Sequence, residues 1–265
     1  MPPNTNLFHW LANEYHDLNG SCVEILEAPP TPLEFSRMIH ISRPVVIKGL
    51  QVAALKKWTD DYLINKMGGR KMSVATTPNG LADAITQGPD GRDYFVEPYV
   101  GQITMSELLS RLGTDSSRSD PSEICYLQSQ NGNLYASKFF KGVDDPSELE
   151  SLREDVPSEI SWCSEALDRH PDAVNLWIGD GKSSTSVHND PYENIYTVIR
   201  GAKFFTLLPP TEGQYLVEKR YPHARYTRAP DARLQLEISP DVPSVRWSSI
   251  SDPHFPNAQR HIQFM

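Results

Sequence analysis

Three residues late in the chain could act on one reacting centre: His188, Asp190 and Lys203. In an extended segment residues i and i+2 face the same side, so the imidazole of His188 and the carboxylate of Asp190 converge on one point. One histidine and one carboxylate are two of the three ligands in the facial site of non-haem Fe(II) oxygenases. The tripeptide alone is common, and an ordinary side-chain pair is its default meaning. Lys203 shifts that balance. It heads the apolar run Phe204-Phe205-Thr206-Leu207-Leu208, where its ammonium can project into the same cavity. A buried cation is costly unless paired, and a dicarboxylic cosubstrate would supply the pair. Thr185 offers a hydroxyl before His188, and Asn194 has the parity of His188 and Asp190.

These residues need strands to hold them. Segments 174–179, 196–199 and 203–208 read as strands, the last two joined by Arg200-Gly201-Ala202, a hairpin with glycine at its turn. Upstream, 43–49 and 71–76 are β-branched runs closed by Gly49 and by the turn Pro78-Asn79-Gly80. Tyr126-Leu127-Gln128 reads as another strand. Short strands separated by turns imply an antiparallel sandwich or jelly roll. Helices flank them. Phe8, Leu11, Tyr15 and Leu18 recur at helical spacing and predict a packing helix. A second helix starts near Leu33-Glu34-Phe35, a third after the capping box Thr104-Met105-Ser106-Glu107, and a fourth covers 158–169. The Ser- and Asp-rich stretch 113–122 reads as a loop.

Bulk properties narrow the function. The 265 residues are 38% hydrophobic and 22% charged, enough apolar material for a core. A net charge of -9, with no basic run beyond Lys56-Lys57 and Lys219-Arg220, argues against nucleic-acid binding. Cys22, Cys125 and Cys163 lie far apart and form neither a disulfide framework nor a zinc ribbon. That usage points to a reducing compartment, cytosol or nucleus. No secretory leader and no stretch of ~18 apolar residues is present, so no membrane partner is expected.

The run Thr185-Ser186-Val187-His188-Asn189-Asp190-Pro191-Tyr192-Glu193-Asn194-Ile195-Tyr196, followed by Gly201-Ala202-Lys203-Phe204-Phe205 and Pro209-Pro210, resembles the Jumonji-C 2-oxoglutarate oxygenases. Within them it is similar to the small hydroxylase subgroup that includes the asparaginyl hydroxylase of hypoxia signalling. The resemblance extends upstream through Arg43-Pro44-Val45-Val46-Ile47, the segment 74–80, the segment 162–167 and Pro171-Asp172-Ala173-Val174-Asn175-Leu176-Trp177-Ile178-Gly179. It implies a mainly β double-stranded β-helix, a cupin-like jelly roll with flanking α-helices. Residues 1–40 would form a helical N-terminal extension and 41–265 the Jumonji-C domain. It also implies that His188 and Asp190 bind Fe(II), and that Lys203 grips the distal carboxylate of 2-oxoglutarate. The hydroxyls of Thr185 and Tyr126 would help, and Asn194 would line the same pocket. The implied partner is a protein substrate, in similar proteins a translation-associated GTP-binding protein hydroxylated on lysine carbon 3. A homodimer fits the same expectation.

The family pattern also requires a third ligand, a histidine on a late strand. Trp247 and Asp252-Pro253 match the region before it, and the segment itself is missing before Met265. His254 and His261 stand nearest, beside proline or polar residues rather than in an apolar strand. The expectation is therefore a jelly roll lacking its last strands. Three functions compete: an Fe(II)- and 2-oxoglutarate-dependent protein hydroxylase, a pseudo-oxygenase that binds without turnover, and a peptidase on the same scaffold. A peptidase lacks support, since neither a nucleophile–base arrangement nor an HExxH helix is present.

Overall fold

Reciprocal caps fix two helix starts. Thr31 and Glu34 close a capping box at the head of α2 (Pro32–Ile41), and Thr104 with Glu107 does the same for α5 (Met105–Leu112). In each, side chain and backbone satisfy N–H groups that a helix leaves unpaired at its first turn. The other helices are α1 (Leu7–Asn19), α3 (Ala54–Lys57), α4 (Asp60–Met67), α6 (Ser137–Phe140) and α7 (Ser161–Leu167). Two 3-10 segments, Glu150–Asp155 and Pro210–Leu216, join them. The computed structural model describes residues 7–20, 22–113, 123–130, 132–144 and 146–250.

The described strands in chain order are β1 (Glu24–Leu26), β2 (Val45–Ile47), β3 (Lys71–Thr77), β4 (Leu81–Ala82) and β5 (Ala84–Gln87). Next come β6 (Asp93–Glu97), β7 (Tyr99–Thr104), β8 (Ile124–Tyr126), β9 (Tyr135–Ala136) and β10 (Ala173–Val174). The series closes with β11 (Ser184–Thr185), β12 (Glu218–Tyr221), β13 (His223–Arg228), β14 (Leu234–Ile238) and β15 (Val245–Ser248). One sheet runs β14-β13-β6-β5, a second β7-β3-β8, and four two-stranded pairs complete the set. The class is mainly β with flanking helices, as expected of a jelly roll.

From Val74 to Thr77 every residue of β3 is buried. Met72 and Val74 are buried against α4 and α5, where Met67, Met105 and Leu108 meet them. Each such fully buried side chain contributes roughly 2–3 kcal/mol by leaving water. A second cluster, Tyr94, Val96, Ala224 and Tyr226, fills the β6–β13 face. A buried carboxylate ties the helices down: Asp155 accepts from Lys57 Nζ at 2.7 Å, Trp58 Nε1 at 3.0 Å and Tyr62 Oη at 2.7 Å.

Several expectations need correction. Segments 196–199 and 203–208 form no ladder, although Gly201 turns between them at φ 74°. The arms are pulled apart. Arg200 Nη1 reaches Asp60 Oδ1 at 2.7 Å and Ile199 packs on the helical core, whereas Lys203 turns to Tyr126. A glycine turn joins strands only if their backbones stay adjacent. Of 174–179, only Val174 lies in a strand, and Ile178 forms an isolated bridge with Leu127. The strand expected at 126–128 sits earlier, at β8. The helix expected over 158–169 is shorter; it begins at Ser161, after Pro157, and is closed by Asp168 in the left-handed region at φ 50°. The apolar stripe of α1 is largely exposed, with Phe8 at 56% and Leu18 at 82%, and Ala12 is the residue it buries. Gly113 ends α5, and 114–122 lie outside the described residues. Within the first forty residues, β1 pairs in parallel with β2 beyond them.

Candidate metal and cosubstrate site

Gly80 lets two distant segments run together. At φ 78° it occupies the left-handed region, and a Cβ there would fall 2.0 Å from the Lys182 carbonyl oxygen. β4 and β11 can thus pair in parallel, Leu81 with Ser184 and Ala82 with Thr185. Continuing that register sets Asp83 beside Ser186, whose hydroxyl donates to the Asp83 carbonyl at 2.6 Å. Trp247 Nε1 donates to the same hydroxyl at 3.1 Å, and its ring lies parallel to that of His188 at 6.3 Å.

His188 is oriented by its own chain. Its Nδ1 is 2.9 Å from the Ser186 carbonyl, which only accepts, so Nδ1–H is the donor there and Nε2 is left free of that contact. Nε2 faces Asp190 Oδ1 at 3.8 Å, while the other carboxylate oxygen accepts from Asn194 Nδ2 at 3.3 Å. The convergence expected from i, i+2 spacing is present, but it arises in an irregular segment rather than a strand.

Lys203 is half-buried. Its Nζ donates to Tyr126 Oη at 3.3 Å and stands 5.2 Å from that ring's centroid. No carboxylate among the described residues pairs with it. Burial pushes the Tyr126 phenol up, so it stays protonated and can donate onward. A Cβ on Gly179 would strike the Tyr126 ring at 2.6 Å, so glycine there lets the ring sit against the backbone. Trp177 stacks on Tyr196 at 5.4 Å, and Tyr196 meets Phe205 edge-on at 5.0 Å, giving an aromatic flank. Thr185 is exposed on β11 and makes no hydrogen bond with Lys203 among the described residues.

The donor set fits a divalent cation in part. Two ligands at right angles with bonds of ~2.1 Å stand about 3 Å apart, and Nε2 and Oδ1 come within a small side-chain adjustment of that. Among the described residues no group of three His, Cys, Asp or Glu gathers to hold a metal. His254 and His261 lie outside the described residues.

Sequence reasoning missed Asp83, Glu97 and His223. Burial pushes the Asp83 carboxyl above the usual range, Glu97 adds to this, and His188 opposes it. One signal was available: Gly88-Pro89-Asp90-Gly91 between two short apolar runs marks the β5–β6 hairpin whose far end carries Asp83 and Glu97.

The cupin-like domain family matches residues 30–264. The chain is 34% identical over 242 residues to the bifunctional peptidase and (3S)-lysyl hydroxylase of Homo sapiens, covering 90% of this chain and 70% of that protein. It is 35% identical over 224 residues to JmjC domain-containing protein E of Dictyostelium discoideum, covering 80% and 60%. It is 36% identical over 241 residues to a lysine-specific demethylase of Arabidopsis thaliana, covering 89% and 65%. The chain thus spans 60–70% of the length of these three relatives.

Proposed function

Because the chain belongs to the cupin-like domain family, we propose that it is an Fe(II)- and 2-oxoglutarate-dependent oxygenase acting on a protein side chain, with lysyl hydroxylation as its reaction. One observation carries this reading: Lys203 is a half-buried cation without a counter-ion among the described residues, beside a phenol and close in sequence to the His188–Asp190 pair. A dicarboxylate supplies the missing charge. Its contact with an ammonium is charge-assisted, typically worth about 1.5–3 kcal/mol.

Fe(II) with a 2-oxo acid would supply the activation of dioxygen needed to hydroxylate an unactivated C–H bond. His188 would present Nε2 to the metal, held in plane by the Ser186 carbonyl and Trp247. Asp190 would present Oδ1 while Asn194 steadies the other oxygen. Lys203 and the Tyr126 hydroxyl would grip the far carboxylate of the cosubstrate. Trp177, Tyr196 and Phe205 would limit water on that side. The lysyl specificity draws on the name of the human relative, and a translation-associated GTP-binding protein in cytosol or nucleus is the partner this reading carries.

The test is metal affinity. His188→Ala and Asp190→Ala should each lower Mn(II) affinity at least tenfold in titration calorimetry of folded protein. Unchanged binding in both variants removes the pair from the metal site.

A further inference from the structure

Ser186 is 6% exposed, and its hydroxyl is used twice. It donates to the Asp83 carbonyl at 2.6 Å, at the junction of β4 and β5, and accepts from Trp247 Nε1 of β15 at 3.1 Å. A hydroxyl has one proton to give, so the two bonds together fix its rotor and its place. The chain beyond it has no such hold. Among the described residues, no hydrogen bond leaves 187–199 for another element; the next is made by Arg200, to Trp58 and Asp60. His188 and Asp190 lie in this stretch, which is neither helix nor strand. His188 therefore takes its direction from two features anchored at residue 186. One is its Nδ1–H bond to the Ser186 carbonyl at 2.9 Å. The other is the Trp247 ring, inclined 9° to the imidazole at a centroid distance of 6.3 Å. Trp247 is itself seated, with Phe95 packed on it at 4.8 Å and its backbone paired to β12. One indole thus binds the Ser186 hydroxyl through its N–H and faces the imidazole with its ring.

We propose that Ser186 is a positioning residue for the metal-binding imidazole, and that the hydrogen-bond chain from Trp247 through Ser186 to Asp83 keeps His188 Nε2 turned towards Asp190. This rests on the oxygenase reading and deepens it, by naming the outer partners that preorganise a ligand carried on irregular chain. The Ser186 peptide plane sets where its carbonyl points, and the carbonyl selects which nitrogen of His188 carries hydrogen. Freeing the hydroxyl lets that plane turn, and the imidazole can then offer either nitrogen. The competing account is that the short contact between Nδ1 and the carbonyl suffices by itself. Alanine at position 186 keeps that carbonyl and removes only the hydroxyl, so the two accounts differ in what they expect of it.

The test has a metal-free arm and a metal arm, both on the full chain. Long-range proton–nitrogen correlation spectra, taken where histidine is neutral, separate the two tautomers of each imidazole, and His188→Ala identifies the signal of His188. The parent should hold His188 in the Nδ1–H form, whereas Ser186→Ala and Trp247→Phe should each give a mixture. Phenylalanine keeps a ring and loses the N–H, so it separates the hydrogen bond from the packing. In titration calorimetry each variant should bind Mn(II) about three- to tenfold more weakly, the range that one hydrogen bond spans. The double variant should lose no more than the weaker of the two, since both act through one hydroxyl. Ser186→Thr, which restores a hydroxyl, should recover the parental spectrum and affinity. Val74→Ala, a cavity in the core beside the helices, should lower the melting temperature and move neither readout. Thermal melts confirm that each variant is folded. An unchanged Nδ1–H tautomer in the folded Ser186→Ala and Trp247→Phe proteins overturns the proposal, and so do additive losses of affinity in the double variant. Failure of the parent to bind Mn(II) overturns the oxygenase reading instead, and the tautomer comparison still decides the positioning role.

Discussion

Asp83 is a carboxylate whose surroundings disfavour its charge. Burial raises its pKa and Glu97 raises it further, so the folded state holds that proton more tightly than the unfolded chain does. The sign follows: the penalty is absent below the unfolded value and grows as pH rises through the higher folded one. Asp83→Asn should therefore stabilise the protein at pH 7 by about 0.2–1 kcal/mol, with the gain shrinking towards pH 4. Urea unfolding of both proteins at the two pH values measures this, and a variant less stable at pH 7 would contradict it. Residues that act through short spacing were legible beforehand. His188, Asp190 and Asn194 meet within a few residues of chain, in an irregular segment rather than the strand that parity assumes, and Lys203 stood out as a cation at the head of an apolar run. Asp83, Glu97 and His223 come from three separated segments. Only the pairing of β5, β6 and β13 makes them neighbours, and no spacing rule within one segment encodes that.

Asp155 is the contrasting case among the elements. Burial alone would raise its pKa, but hydrogen bonds from Lys57, Tyr62 and Trp58 together hold it below the usual carboxylate range. The three donors come from α4 and the C-terminal end of α3, so this carboxylate locks both helices onto the 3-10 segment Glu150–Asp155. Asp155→Asn should cost about 1–3 kcal/mol, since it removes the charge facing the half-exposed Lys57 and misaligns the Trp58 and Tyr62 donors around a buried group. A depressed folded pKa adds stability above the unfolded value that is lost as pH falls through the folded one. The parent should lose this part of its stability in acid, and the variant should lack that part of the acid limb. Urea midpoints between pH 3 and 7 test both statements; a loss under 0.5 kcal/mol would make the cluster incidental. Elements with local signals were readable, such as the capping boxes of α2 and α5. The segments 196–199 and 203–208 were misread because β-branched and aromatic composition reports strand propensity, whereas a ladder also needs an adjacent backbone.

Across the whole molecule, the mainly β class followed from many short apolar runs punctuated by turns, and the cupin-like membership from motifs spread over most of the chain. Burial was less legible. Phe204, Phe205 and Leu207 are 92%, 54% and 47% exposed, although their run reads as core. An apolar run declares that its side chains favour an interior without saying which partner closes it. The same segment begins with Lys203, so the residue proposed to grip the cosubstrate stands at the root of an apolar run left largely exposed. The central claim is that this lysine and the His188–Asp190 pair serve one bound 2-oxo acid. The most direct measurement is the calorimetric affinity for 2-oxoglutarate, with and without Mn(II), in the parent and in Lys203→Ala. The account predicts that Mn(II) tightens 2-oxoglutarate binding to the parent at least tenfold, and that Lys203→Ala weakens it at least tenfold, about 1.4 kcal/mol, while Mn(II) affinity alone stays unchanged. Equal 2-oxoglutarate affinity in parent and variant, with no dependence on the metal, would contradict it.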